Sequence, residues 1–239
     1  MKSLILNLLI PVSLLVIISS MAGCKKEEVI SLNKTEITLK PNQTFKLVVS
    51  PDASGYVFKS GNDNIAEVFS SGLITARLVG TTNIEVTNTD KGGYAKCLVT
   101  VIPEYTMYRE PYLVFGSVRS YIKSYETREI TDENDSTILY TGENSSIESL
   151  MYSFENSAYT SCVCAIPPDQ LTLLENYLAE RYIYIGPIDN GLIARKTTDG
   201  NRYVVTQFYS SSEIYVYYFP KTTTKKGMNL IFNSELSKK

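Results

Sequence analysis

The spacing of hydrophobic positions in residues 29–102 is that of short β-strands. Within residues 44–49, the apolar side chains of Phe45, Leu47 and Val49 fall on one side of an extended chain, which indicates a strand with one buried face. Turn-forming pairs such as Ser71-Gly72 separate these stretches. Short strands with turns between them favour a β-sandwich, and we predict strands at residues 36–39, 44–49, 56–59, 66–69, 73–76, 82–87 and 95–102.

The segment 104–220 combines helical spacing with strand spacing. A first amphipathic helix is predicted within residues 116–129, with Ser117 as its N-cap. A second helix is predicted over residues 168–181, because Pro168 and Asp169 supply a start signal. The remaining apolar stretches predict strands at residues 136–141, 150–154, 161–166, 182–185, 192–196, 203–209 and 213–219. This order of elements favours an α+β domain, in which an antiparallel sheet carries two helices on one face.

The N-terminus has the pattern of a secretory signal. Lys2 precedes an apolar stretch over residues 4–18, and small residues follow up to Cys24. An uncleaved helical anchor is the alternative, but the apolar stretch is short for a membrane span. The sequence Met21-Ala22-Gly23-Cys24 resembles the lipobox of bacterial lipoproteins, although Met21 stands where leucine is commoner. This resemblance implies that residues 1–23 are a signal peptide and that Cys24 carries the lipid, and two or more acyl chains hold a protein stably in a membrane.

Four charged residues follow Cys24, in a region that we assign as anchor and linker (residues 24–28). The run Lys25-Lys26-Glu27-Glu28 looks like the signal that sends some Gram-negative lipoproteins to the outer face of the outer membrane. A solvated spacer is the alternative explanation. The resemblance implies a lipid-anchored protein of the outer membrane that faces the cell exterior, with the membrane as a partner.

A second resemblance covers residues 29–102. The quoted runs are ISLNKTEITLKPNQTFKL, VFKSGNDNIAEVFSSGLITARLVGTTNIEVT and YAKCLVTV, and together they resemble the group 2 bacterial immunoglobulin-like (Big2) domain. Phe58 stands where that family usually has tryptophan. The resemblance implies an immunoglobulin-like sandwich without general catalytic residues, of the kind that serves as a spacer in surface proteins. The predicted fold is therefore mainly β: a small Ig-like sandwich (29–102), an α+β domain (104–220) and a basic tail (221–239).

Composition removes several classes of function. The 239 residues include no histidine, which excludes Ser-His-Asp and Cys-His catalysis and histidine metal ligands. The net charge of −2 conceals an α+β segment with 8 basic and 16 acidic side chains, and an acidic body disfavours nucleic-acid binding. We therefore expect no enzyme, no cofactor, no metal and no nucleic-acid partner. A hydrolase that uses two carboxylates is the remaining catalytic alternative.

Tyrosine is the most unevenly distributed residue type. Of 18 tyrosines, 16 lie beyond residue 104. In residues 213–219, aromatic side chains occupy both faces of one strand, so one row of aromatic side chains needs a cover or a partner. We therefore predict a ligand-binding row at Tyr215, Tyr217 and Phe219, for a glycan or a protein, with burial of both faces as the alternative. Cys162 and Cys164 lie two residues apart and are expected to pack in the core.

Taken together, these patterns predict a lipid-anchored binding or adhesion protein of the cell surface. The Ig-like domain would act as a stalk, and the α+β domain would contact the ligand. A structural or accessory subunit of an envelope complex, without a ligand of its own, is the alternative.

Overall fold

The computed structural model describes residues 29–188, 192–209 and 213–221. The fold is mainly β, as predicted. The strands are β1 Ser31–Leu32, β2 Glu36–Leu39, β3 Thr44–Lys46, β4 Val49–Ser50, β5 Tyr56–Ser60, β6 Ala66–Val68, β7 Leu73–Ala76, β8 Gly80–Asn88, β9 Tyr94–Val101, β10 Ile130–Glu133, β11 Thr137–Thr141, β12 Ser149–Glu155, β13 Ala158–Ile166, β14 Ile183–Ile188, β15 Leu192–Lys196, β16 Arg202–Tyr209 and β17 Glu213–Pro220. The helices are α1 Arg119–Tyr125 and α2 Leu171–Ala179, the latter preceded by a 3-10 turn at Pro168–Gln170. No helix among the described residues is both long and apolar enough to span a membrane.

Strands β1–β9 form an Ig-like β-sandwich, which we call the Ig-like unit. The two larger sheets have the orders β2-β9-β8-β5 and β3-β7-β6, and β1 pairs with β4 in a separate two-stranded sheet. Along β9, the alternate residues Cys97, Val99 and Val101 are buried in the core between the sheets. Gly72 closes the tight turn between β6 and β7 at a φ of 82°, where a Cβ would lie 2.5 Å from the carbonyl oxygen of Leu47. The turn predicted at Ser71-Gly72 therefore requires glycine.

The remaining elements form the α+β unit, which is built on one eight-stranded sheet. Its strand order is β10-β11-β12-β13-β17-β16-β15-β14, and every pairing in it is antiparallel. The last strand, β17, lies between β13 and β16 in the middle of the sheet. Both helices contribute to the core on one face of the sheet, through Ile122 of α1 and through Leu174 and Leu178 of α2. This arrangement is the α+β architecture that the element order predicts.

The first helix differs from its prediction in length and in its cap. It covers only Arg119–Tyr125, its N-cap is Val118 rather than Ser117, and no side chain caps it. Its buried face is narrow, because Val118 and Tyr121 are exposed and Ile122 alone of the helix is fully buried.

Tyrosine rings fill much of the core beneath the helices, and the hydroxyl groups of several of them are hydrogen-bonded there. The Tyr108 and Tyr218 hydroxyl oxygens lie 2.6 Å apart, and the Tyr177 hydroxyl donates to the Tyr108 carbonyl oxygen at 3.1 Å. Tyr182 donates to a carboxylate oxygen of Glu110. Burial raises the pKa of Tyr108, Tyr177, Tyr182 and Tyr218 above the ordinary value. These phenols therefore stay protonated, and the hydroxyl groups of Tyr177, Tyr182 and Tyr218 bind the segment 108–110.

A buried ionic cluster, which we call the Arg128 cluster, fastens the end of α1 to the rest of the unit. The side chains of Arg128 and Glu126 are 2% and 0% exposed and form an ion pair, and Arg128 also binds Glu143. Tyr152 donates a hydrogen bond to the second carboxylate oxygen of Glu126. The cluster thus satisfies a carboxylate and a guanidinium that would be costly to bury alone.

The two edges of the sheet end differently. At one edge, all four residues of β10, including Asp132 and Glu133, are exposed. At the other edge, the pairing of β14 with β15 shifts register between Tyr184 and Gly186, and Pro187 follows. Charges at one edge and a bulge with proline at the other are features that hinder pairing with a further strand.

Candidate functional site

Glu180 joins the two units directly after α2. Its buried carboxylate accepts the backbone N–H groups of Glu104 at 2.9 Å and of Tyr105 at 3.1 Å, and it pairs with Arg181. Its own carbonyl oxygen accepts the N–H of Val79 in the Ig-like unit at 2.7 Å. One residue therefore holds the linker between the units and a loop of the Ig-like unit.

A cleft of about 740 Å³ opens beside this joint. Its walls come from the exposed side of α2, the strands β14 and β15, the linker and loops of the Ig-like unit. Its lining residues are Pro41, Asn42, Asn64, Arg77, Leu78, Glu104, Tyr105, Glu175, Asn176, Ala179, Glu180, Tyr182, Ile183, Tyr184 and Arg195. Clefts of about 300–1,000 Å³ between structural units are common sites for small ligands, so this cleft is the candidate functional site.

Two tyrosines give the cleft its exposed aromatic surface. Tyr184 is 62% exposed and Tyr105 is 37% exposed, whereas Tyr182 is buried in the core. Tyr184 lies on the edge strand β14, opposite Arg195 of β15. An exposed tyrosine ring offers rigid apolar contact area together with a polar hydroxyl group.

The charged groups of the cleft are largely paired. Arg195, whose side chain is 4% exposed, donates to Glu175 at 2.6 Å and to the Thr206 hydroxyl at 3.2 Å. Arg77 pairs with Glu67 on the surface of the Ig-like unit. The second carboxylate oxygen of Glu175 is buried and makes no hydrogen bond with any described residue. The lining therefore holds one buried carboxylate oxygen without a partner, beside paired cations and the exposed carboxylate of Glu104.

The loops of the Ig-like unit that line the cleft are held by backbone hydrogen bonds. Asn42 has a φ of 67°, which asparagine tolerates better than most residues, and its N–H donates to the Ala76 carbonyl oxygen at 2.9 Å. The carbonyl oxygen of Asn64 accepts the N–H of Leu78 at 3.1 Å. Both asparagines are exposed, and their side-chain amides make no hydrogen bond within the described part of the chain. These amides are positioned on fixed loops and are available to a ligand.

The structure places the predicted tyrosine row away from the surface, and that prediction is wrong. Tyr217 is 2% exposed and Phe219 is 1% exposed, and Tyr215 is partly buried beside them. The physical reason is that Tyr217 and Phe219 pack in an apolar cluster on their face of the sheet, in which Val163 of β13 and Val205 of β16 flank Tyr217. The alternative, burial of both faces, is the correct one for this strand.

Other predicted residues have a simpler outcome. Cys162 and Cys164 point into the core as expected, are 0% exposed and form no disulfide. Within the described residues, no three cysteine, aspartate or glutamate side chains are grouped so that they could hold a metal ion. Cys24, the predicted lipid attachment site, and the tail after Lys221 lie outside the described residues.

Comparison with known proteins adds little to this description. No protein-family model and no curated protein matches the chain. Among solved structures, the chain is similar to domains 5–6 of the S-layer protein SbsC, with 12% identity, a TM-score of 0.26, and coverage of 83% of this chain and 86% of that chain. It is also similar to domains 1–6 of the surface layer protein SbsC, with 14% identity and a TM-score of 0.26, over 78% of this chain and 24% of that one. Likenesses at this level carry no argument about the chain, so its fold is assigned from the strand pairing above.

Proposed function

We propose that this protein is a lipid-anchored ligand-binding protein of the bacterial cell surface. The Ig-like unit, which we assign to the Big2 group, acts as a spacer, and the cleft beside Glu180 takes the ligand. The observation that supports this proposal is a cleft of about 740 Å³ that carries an exposed tyrosine and unoccupied amide groups. The anchor is inferred from the sequence around Cys24.

The cleft supports binding better than it supports catalysis. Hydrolysis by carboxylates needs two of them, one as acid and one as base or nucleophile. In the cleft, Glu180 is engaged by two backbone N–H groups and Arg181, and Glu175 is engaged by Arg195 through one oxygen. Among the described residues of the lining, the exposed Glu104 is the one carboxylate without an ion pair, so the cleft does not offer two free carboxylates for hydrolysis.

The anchor is tested by a Cys24→Ala variant, with Lys25→Ala as the matched control. We expect Cys24→Ala to lose both incorporation of labelled fatty acid and retention in the membrane fraction, while Lys25→Ala keeps both. Retention of Cys24→Ala in the membrane would contradict the lipid anchor. Replacing residues 25–28 by neutral residues tests the sorting signal, since surface accessibility to protease should fall while membrane retention stays.

The cleft is tested by a photo-crosslinking residue placed at Tyr184 on intact cells. The control places the same residue at Tyr121, which is also 62% exposed but lies on α1 outside the cleft lining. We expect the residue at position 184 to form a reproducible crosslink to a ligand of one chemical class. We expect the residue at position 121 not to crosslink to that ligand. Equal crosslinking at both positions, or none at 184, would contradict a ligand site in this cleft.

A further inference from the structure

We propose that the ligand of the cleft is an uncharged oligosaccharide, one sugar ring of which stacks on Tyr184. This inference rests on the cleft being the ligand site. It follows from the exposed ring, the charge balance of the lining, and the unoccupied hydrogen-bonding groups.

The exposed ring of Tyr184 supplies the apolar part of such a site. A sugar ring has one face of C–H groups and an edge of hydroxyl groups, so it matches a surface that is aromatic in the middle and polar around it. Tyr184 is 62% exposed on an edge strand, and Tyr105 adds a second, less exposed ring in the same lining. Tyrosine provides this contact at a low cost in side-chain entropy.

The charges of the lining select against ionic ligands. Two arginines, Arg77 and Arg195, face three glutamates, Glu104, Glu175 and Glu180, in the same lining. Both arginines are already paired, with Glu67 and Glu175. A phosphate or a uronic acid would meet no unpaired cation among these residues, and its own charge would oppose the surplus acid.

Hydroxyl groups fit the polar positions that the cleft leaves open. The amides of Asn42 and Asn64 can each donate and accept, and a hydroxyl group does both as well. The buried second oxygen of Glu175 needs a donor, which a hydroxyl group supplies after a small rotation of the glutamate side chain. A protein partner is favoured less, because specific protein interfaces bury about 800 Å² per partner around an apolar centre, whereas this cleft is concave and its lining mixes polar and apolar groups.

The test is a glycan array of neutral, sialylated and sulfated oligosaccharides, probed with the purified full chain, followed by calorimetry on each hit. The variants are Tyr184→Ala and the control Tyr121→Ala, whose side chains are equally exposed. We expect neutral glycans to bind, with little dependence on salt. We expect Tyr184→Ala to weaken binding about tenfold, the scale of one aromatic contact, and Tyr121→Ala to leave it unchanged. Thermal melting of both variants confirms that they are folded.

The outcomes separate this inference from the proposed function. If charged glycans or a protein bind instead, and Tyr184→Ala weakens that binding, the ligand class is wrong while the cleft remains the site. If a neutral glycan binds both variants equally, the site lies elsewhere and both proposals fail. If no glycan binds at all, the inference about the ligand class is overturned, and crosslinking at position 184 decides whether the cleft binds something else.

Discussion

Replacement of Arg128 by methionine is the sharpest test of how the α+β unit is held together. Arg128 is 2% exposed and binds Glu126, Glu143 and the carbonyl oxygen of Arg109. Methionine keeps much of the side-chain volume but removes the charge, so the fully buried carboxylate of Glu126 loses its ionic partner. Removing one member of a buried ion pair costs about 3–5 kcal/mol.

The expected loss is large enough to measure directly. For a unit of this size it corresponds to a melting temperature lower by about 10–20 °C, since each kcal/mol shifts the transition by several degrees. The assay is thermal unfolding of the full chain, followed by circular dichroism and calorimetry. The matched control is Lys123→Met, which removes an exposed cation that pairs with Glu133, and should cost less than about 1 kcal/mol.

A double variant separates loss of charge pairing from loss of packing. In Arg128→Met with Glu126→Gln, no buried charge is left without a partner, and the amide oxygen still accepts the Tyr152 hydroxyl. We expect the double variant to regain a substantial part of the stability lost by Arg128→Met. A loss below about 1 kcal/mol in Arg128→Met, or no recovery in the double variant, would refute the reasoning that a buried ion pair holds α1 in place.

Two further predictions concern Glu143 and the buried cysteines. Partial burial alone would raise the pKa of Glu143, but hydrogen bonds from Arg128 and from the Arg109 N–H outweigh it and hold that pKa below the ordinary value. Because the pKa of Glu143 is lower in the folded state than in the unfolded state, its ionised carboxylate stabilises the fold above the unfolded-state pKa, and this contribution is lost as pH falls through the folded-state pKa. Urea titrations should therefore show a loss of unfolding free energy on acidification below about pH 4.5. The loss should be smaller in Glu143→Gln, which has no carboxylate to protonate at this position. The second prediction concerns Cys97, Cys162 and Cys164, which are buried. In a Cys24→Ser variant, the native chain should react slowly with Ellman's reagent, and the denatured chain should release three equivalents of product. Rapid reaction of the native chain would contradict the burial of these thiols.

Most of the strands could be predicted because each carries a local signal. Alternation of apolar residues gave β2, β7 and β15 with their observed ends. The strand predicted at residues 44–49 is in fact divided into β3 and β4, and β10 was missed altogether. That strand, Ile130–Glu133, is exposed at all four positions, so no apolar period marks it.

The candidate site could not be predicted because its residues come together only in the folded chain. Asn42, Asn64, Glu175 and Tyr184 lie far apart in sequence and share no motif or spacing. The predicted row at Tyr215, Tyr217 and Phe219 failed for a related reason. A pattern with aromatic side chains on both faces describes a strand that is buried on both sides, but it does not reveal that β17 inserts between β13 and β16. Pairing across a long sequence separation decides exposure in both cases.

The two edges of the eight-stranded sheet have a consequence for a protein that we propose to be anchored in a membrane. Lipid anchoring confines copies to a plane, where neighbours meet at high local concentration and in similar orientations. An open sheet edge would then recruit the edge of the next copy, and the chains would join into a continuous ribbon. The exposed acids of β10 and the bulge with Pro187 in β14 hinder such joining at either end. In the proposed arrangement, neighbouring copies would therefore stay separate chains, and the sheet edge of one copy would not cover the cleft of the next.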